Sequence, residues 1–217
     1  MEMTYTKKKV TGGVYLVIDP SIELDVLLKK LSSAIQGGID VLQIWNNWPN
    51  GLDKLRFIKE ISDLALPYQI PILINQEWTL LKQTSDLQGV HFDRSPNDLD
   101  TIKQKIEREI IIGVTCSGSL KTVAEAHKKQ LDYISFCSMF PSSSAGSCEI
   151  VMPETVRKAR EMTSLPFFIS GGITPENAAS LRAQIPFNGV AVISGILNAE
   201  NPGTRTKQYK QSLAIKS

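Results

Sequence analysis

The chain has little of what marks metal or disulfide chemistry. Among its 217 residues are three cysteines, Cys116, Cys137 and Cys148, and two histidines, His91 and His127. The cysteines lack metal-ligand spacing, their odd number leaves at least one unpaired within the chain, and two histidines are too few for a multi-histidine site. No metal site is therefore expected, and the reading is of a reduced, cytoplasmic protein. No stretch approaches the roughly 18 consecutive apolar residues of a membrane span. The first nine residues are polar and carry no apolar signal-peptide core. Charge of one sign is also lacking. With 24 Lys plus Arg against 22 Asp plus Glu, the net charge is +2, and the one basic run, Lys7-Lys8-Lys9, reads as a solvated terminus. Neither nucleic acid nor a membrane is expected as a partner. A 42% hydrophobic content with net charge near zero excludes disorder.

What is present is a repeated alternation. Short β-branched runs recur between helical patterns from end to end. Val14 to Asp19 reads as the first strand, and Ile22 to Gln36 as a helix with Ser21 as its cap and Gly37-Gly38 as its end. Asp40 to Trp45, Pro71 to Asn75 and Gly89 to Phe92 read as strands two to four. Helices are expected over Leu52–Leu66, near Glu77–Thr84, and over Asn97–Arg108 with Asn97 as cap. In the second half the strands are Ile110–Thr115, Asp132–Phe136, Pro166–Ser170 and Gly189–Ile193. They alternate with helices over Leu120–Lys129, Pro153–Met162 and Pro175–Gln184, the last capped by Thr174, and the polar tail ends in one more helix. The strands are continuously apolar, as expected where both faces are covered. Eight such units at about 27 residues each predict a single α/β domain, a (β/α)8 TIM barrel with its core over about residues 14–201. The alternative, a doubly wound open sheet, lacks a Gly-x-Gly-x-x-Gly turn after the first strand.

In such a barrel, chemistry sits at the C-terminal strand ends. Two of these ends are distinctive: Ser170-Gly171-Gly172-Ile173-Thr174 and Val192-Ile193-Ser194-Gly195-Ile196. Glycines let backbone N–H groups approach an anion, and a helix starting near Ser194 would add its unsatisfied N–H groups and positive end. Gly171, Gly172, Thr174, Ile193 and Ser194 are the predicted phosphate-binding residues.

The order and spacing of several motifs resemble the thiamin phosphate synthase and TenI-like family over about Val14 to Asn201. They are Gly38-Ile39-Asp40-Val41-Leu42-Gln43, Pro71 to Asn75, Gly89-Val90-His91, Ile112 to Thr115, Asp132-Tyr133-Ile134, Phe140-Pro141-Ser142, Gly171 to Asn177 and Gly189 to Ser194. The resemblance implies a protein of thiamin biosynthesis that binds a small phosphorylated heterocycle, a thiazole phosphate or thiamin phosphate. Gln43, Asn75, Thr115, Ser142 and Ser144 would then contribute neutral hydrogen bonds.

The family's synthase joins a pyrimidine-methyl pyrophosphate to a thiazole phosphate and needs cations, usually with Mg²⁺, around the departing pyrophosphate. At the positions that the resemblance assigns to that end, Trp45 and Asn47 stand for Arg and Lys, Gln76 for a metal-binding Asp, and Ala145 for Lys. Pro96 falls at the second carboxylate unless a two-residue insertion aligns Asp98. Synthase activity is accordingly expected to be weak or absent, and Mg²⁺ would matter only if that activity survives, with Arg94 or Asp98 compensating. The TenI-type tautomerase places a His after strand five, where this chain has Ser117, beside Cys116. No catalytic residue is assigned.

Other positions divide between chemistry and structure. His91 reads as a structural residue bonded to backbone, and His127 as an exterior one. Asp19 is a general base or a turn residue, Trp45 and Trp48 stack on a heterocycle or fill space, and the Ser-rich loop from Cys137 to Ile150 is a lid or filler. Alternatives to the family reading are a catalytically silent phosphate-ligand or regulatory barrel, or another phosphosugar-type barrel enzyme. The sequence is also compatible with a homo-oligomer.

Overall fold

The eight apolar runs become eight parallel strands, each hydrogen-bonded to the next, and β8 returns to β1 to close the barrel. The computed structural model describes residues 7–141 and 150–214. Its strands are β1 (Gly13–Ile18), β2 (Val41–Ile44), β3 (Ile72–Asn75), β4 (Gly89–Phe92), β5 (Ile111–Thr115), β6 (Tyr133–Phe136), β7 (Phe167–Ser170) and β8 (Gly189–Val192). The helices are α1 (Leu24–Gly37), α2 (Lys54–Ala65), α3 (Leu99–Ile106), α4 (Leu120–Lys128), α5 (Pro153–Met162), α6 (Pro175–Arg182), α7 (Ser194–Leu197) and α8 (Pro202–Ala214). This is the (β/α)8 barrel predicted above.

Alternation along each strand separates two cores. Outward residues such as Leu16, Leu42, Ile74, Val90, Ile112, Ile134, Phe167 and Val190 pack beneath the helices. Inward residues, Tyr15, Val17, Val41, Leu73, Ile111, Tyr133 and Phe168, fill the barrel axis, and Val10 joins them from the segment before β1. Both sets are buried, which is why the strands read as unbroken apolar runs. Gly113 sits opposite Tyr133, whose ring lies where any larger side chain would project, so the small residue makes room for the large one.

Several local expectations shift. Glu23, not Ser21, is the N-cap of α1, its carboxylate accepting from the N–H groups of Asp25 and Val26. Ser21 N–H is bound instead to the Asp19 carboxylate. Asp98 rather than Asn97 precedes α3, with no side-chain bond at the cap. Between β3 and β4 the short helix expected near Glu77–Thr84 is a 3-10 helix over Trp78–Lys82. Leu80 and Leu81 both bury there, and adjacent apolar residues carry no helical period.

Candidate functional site

The C-terminal strand ends surround a cavity of about 550 Å³ lined by residues from every strand or the loop after it. Such a volume suits a small ligand. One wall is the double loop after β7 and β8. Gly171 and Gly172 have φ of +83° and +63°. A Cβ on Gly171 would lie 2.6 Å from the Ser138 backbone, and one on Gly172 would lie 2.8 Å from Phe140 Cβ. The segment after β6 therefore packs directly on this loop, joined by Met139 N–H to Ser170 O (2.9 Å) and Phe140 N–H to Gly171 O (3.1 Å).

The N–H groups of Gly172, Ile173, Ser194 and Gly195 find no acceptor among the described residues, although all four residues line the cavity. Unpaired donors on two adjacent loops of one cavity wall suit an anion. The helix after β8 is a single turn, so these donors carry more of that suitability than any macrodipole would. Thr174 also lines the cavity, but its groups are engaged. Its hydroxyl accepts from Asn177 N–H (3.2 Å) and its own N–H donates to Asn177 Oδ1 (2.8 Å) as the cap of α6. Behind the wall, buried Tyr209 of α8 donates to Ile173 O at 2.7 Å and pins the loop. The polar tail gave no signal of that role.

The floor is polar and aromatic. Tyr15 Oη bonds Gln43 Oε1 (2.6 Å) and Tyr133 Oη (2.8 Å). His91 Nδ1 lies 2.8 Å from Tyr133 Oη, and its Nε2 lies 2.9 Å from Thr115 Oγ1. Burial lowers the His91 pKa to about 4, so the ring is neutral at pH 7, and burial raises both tyrosines above their ordinary value. His91 thus bonds side chains rather than backbone, contrary to the expectation above. Tyr15 and Tyr133 were not singled out from the sequence. The signal that could have found them is that buried tyrosine hydroxyls need partners, and both fall on inward positions of their strands.

Asn75, on β3, gives its amide N–H groups to Asp93 Oδ1 (2.9 Å) and His91 O (3.3 Å). That leaves Asn75 Oδ1 buried and unpartnered. Gln43, Asn75 and Thr115 come together on the cavity, whereas Ser142 and Ser144 lie outside the described residues.

The remaining candidates separate clearly. Trp45 lines the cavity. Trp48 faces away, donating to Glu77 Oε1 at 2.7 Å and packing against Phe57. Asp19 accepts from the Asn47 amide (3.0 and 3.2 Å) and from Ser21 N–H, a turn-stabilising role. Cys116 is 2% exposed, and burial pushes its thiol up to about 12, which removes it as a thiolate nucleophile near neutrality. His127 is exposed on α4 beside Thr163.

The donor set fits Mg²⁺ poorly. Among the described residues no three Asp, Glu, His or Cys side chains gather as a metal site. At the β3–β4 edge Asp93 is the one carboxylate lining the cavity among the described residues, and one of its oxygens already accepts from Asn75. Arg94 lines the cavity as well, adding a positive charge that does not favour a bound cation.

A model of the family described as thiamine monophosphate synthase matches residues 14–196. The chain belongs to that family. Among curated members of the thiamine monophosphate synthase family, the thiamine-phosphate synthase of Methanobrevibacter smithii is 25% identical over 205 residues, covering 94% of this chain and 97% of that protein. The thiamine-phosphate synthase of Aromatoleum aromaticum is 27% identical over 198 residues, covering 91% and 94%. The thiamine phosphate pyrophosphorylase of Pyrococcus furiosus superposes with a TM-score of 0.78 at 23% identity, covering 93% of this chain and 95% of that one. At that identity the structural likeness supports the shared barrel alone.

Proposed function

We propose that this member of the thiamine monophosphate synthase family binds a small phosphorylated heterocycle, a thiazole phosphate or thiamin phosphate. The carrying observation is the group of backbone N–H donors at Gly172, Ile173, Ser194 and Gly195 that find no acceptor among the described residues and belong to two adjacent loops lining one cavity. The phosphate sits among them, and the ring lies toward Gln43, Asn75 and Thr115. Neutral backbone donors serve a phosphate well in a partly enclosed site, because they are fixed in place and need no counter-ion.

The same geometry argues against efficient synthase chemistry. A departing pyrophosphate needs positive charge where it accumulates charge. Here the β2–β4 edge offers Trp45, the Asp93 carboxylate and Asn75 Oδ1, with Arg94 the one cation lining the cavity among the described residues. Asn47 is turned to Asp19. Gln76, where the resemblance expects a metal-binding Asp, has a neutral amide and a φ of +62°. The reading is therefore a phosphate-ligand barrel in which transferase turnover is weak or absent.

Two assays test this. A thermal-shift titration with thiazole phosphate and thiamin phosphate should raise the melting temperature, and no shift with either ligand would remove the binding claim. Turnover with both synthase substrates and Mg²⁺ should be barely measurable in the native chain. It should rise when Trp45→Arg, Asn47→Lys, Gln76→Asp and Ala145→Lys are combined. Efficient native turnover would contradict the second claim.

A further inference from the structure

We propose that Gln43, Tyr15, Tyr133, His91 and Thr115 form a reversible hydrogen-bond wire through the barrel that couples its two cavity-facing ends. The face Gln43 shows to a ligand then fixes whether Thr115 can donate. The proposal rests on the reading that this cavity holds the ligand, and it adds how the floor selects one.

The four links, at 2.6, 2.8, 2.8 and 2.9 Å, each require one proton between two polar atoms. Each tyrosine hydroxyl has one proton, and a neutral imidazole has one N–H and one lone pair. Only two arrangements put a single proton in every link. In the first, Thr115 donates to His91 Nε2, His91 Nδ1–H donates to Tyr133, Tyr133 donates to Tyr15, and Tyr15 donates to Gln43 Oε1. Gln43 then offers its amide N–H to the cavity, and Thr115, whose proton is spent, can only accept. In the second, the Gln43 amide turns over and every donor reverses. Gln43 then shows its carbonyl, and Thr115 has a free proton. The structure holds Gln43 in the first orientation, with Oε1 on Tyr15 and Nε2 making no bond among the described residues.

Water does not rescue a mismatch inside the wire. Tyr15, Tyr133 and His91 are 2%, 0% and 6% exposed, and the His91 and Tyr133 rings stack at 5.7 Å. Burial keeps the imidazole neutral, so His91 passes the direction on rather than donating from both nitrogens. A link with two protons or none leaves a buried polar group unsatisfied. The floor therefore suits a ring that accepts at Gln43 and donates at Thr115, or the reverse, and it disfavours a ring that donates or accepts at both. Tyr15, Tyr133 and His91 are positioning residues in this scheme.

The test reads His91 in the ligand-free full chain by 15N NMR at pH 8. His127, on the outer face of α4, serves as an internal reference. The native protein should show His91 as the Nδ1–H tautomer. Gln43→Glu, which only accepts, should keep it so. Gln43→Met removes the acceptor, turns the Tyr15 proton toward Tyr133, and should change the tautomer ratio toward Nε2–H by about ten-fold or more. Adding Tyr133→Phe should abolish that response, because it cuts the wire between Gln43 and His91. An unchanged His91 tautomer in Gln43→Met, or a response that survives Tyr133→Phe, would overturn the proposal. If Gln43→Glu does not fold, the native chain against Gln43→Met gives the same contrast. Because no ligand is present, failure here leaves the phosphate-binding reading standing. A protein that responds as described yet binds no phosphate ester would refute that reading alone.

Discussion

Replacing Gly171 by alanine tests the packing of the loop after β7 against the segment after β6. The added Cβ has two separable effects. At φ +83° an L-residue is strained, by roughly 1–2 kcal/mol. The Cβ also falls 2.6 Å from Ser138 Cα and N, which are backbone atoms and cannot rotate away, adding about 1–3 kcal/mol of overpacking. Gly51 supplies the control. Its φ is +78°, but a Cβ there meets nothing within 4 Å, so Gly51→Ala carries the strain without the clash. At about 2–4 °C per kcal/mol for a chain of this size, Gly51→Ala should lower Tm by about 2–8 °C and Gly171→Ala by about 4–20 °C, the clash accounting for about 2–12 °C of the latter. Thermal unfolding followed by circular dichroism reads both. Equal losses in the two variants would refute the close approach of the β6 and β7 loops.

Three further outcomes follow from the same geometry. Because burial holds His91 near pKa 4 in the folded state against about 6.5 unfolded, the unfolded chain binds more protons in that window. Stability should therefore fall as pH drops from about 6.5 to 4, by roughly 3 kcal/mol for this group. Urea unfolding at several pH values should show the slope, and His91→Phe should flatten it; an unchanged slope would contradict the buried neutral ring. Thr174→Ala removes the side-chain cap of α6 and should destabilise by about 1 kcal/mol, measured by urea unfolding, with no loss if the cap is idle. Cys116 should resist iodoacetamide in the native protein at pH 8 and react once unfolded, as mass spectrometry of the labelled peptide would report; rapid native labelling would contradict its burial.

The barrel was legible because β-branched runs such as Val14 to Ile18 and Ile111 to Val114 are apolar on both faces, and only a covered parallel sheet requires that. The glycine turn after β7 was legible for a related reason. A tight turn at positive φ calls for glycine, and Gly171-Gly172 announces it locally. Cap positions were less so. A long carboxylate at Glu23 reaches back to the first free N–H groups as well as a serine would, while Ser21 is held by Asp19. The cavity floor was hidden for a deeper reason. Gln43, Tyr15, Tyr133, His91 and Thr115 come from five strands, and only closure of the barrel brings their polar atoms within hydrogen-bond distance. Tyr209 was hidden likewise, since its hydroxyl reaches Ile173 from a helix 36 residues further along the chain.

The central claim is that backbone donors after β7 and β8 hold a phosphate ester. Isothermal titration calorimetry with thiazole phosphate against the same thiazole bearing a free hydroxyl tests it most directly. Saturable heat is expected with the phosphate ester and at least ten-fold weaker binding of the alcohol, because the alcohol leaves the loop's donors without their anion. Equal affinity for the two, or no binding of the phosphate ester, would contradict it.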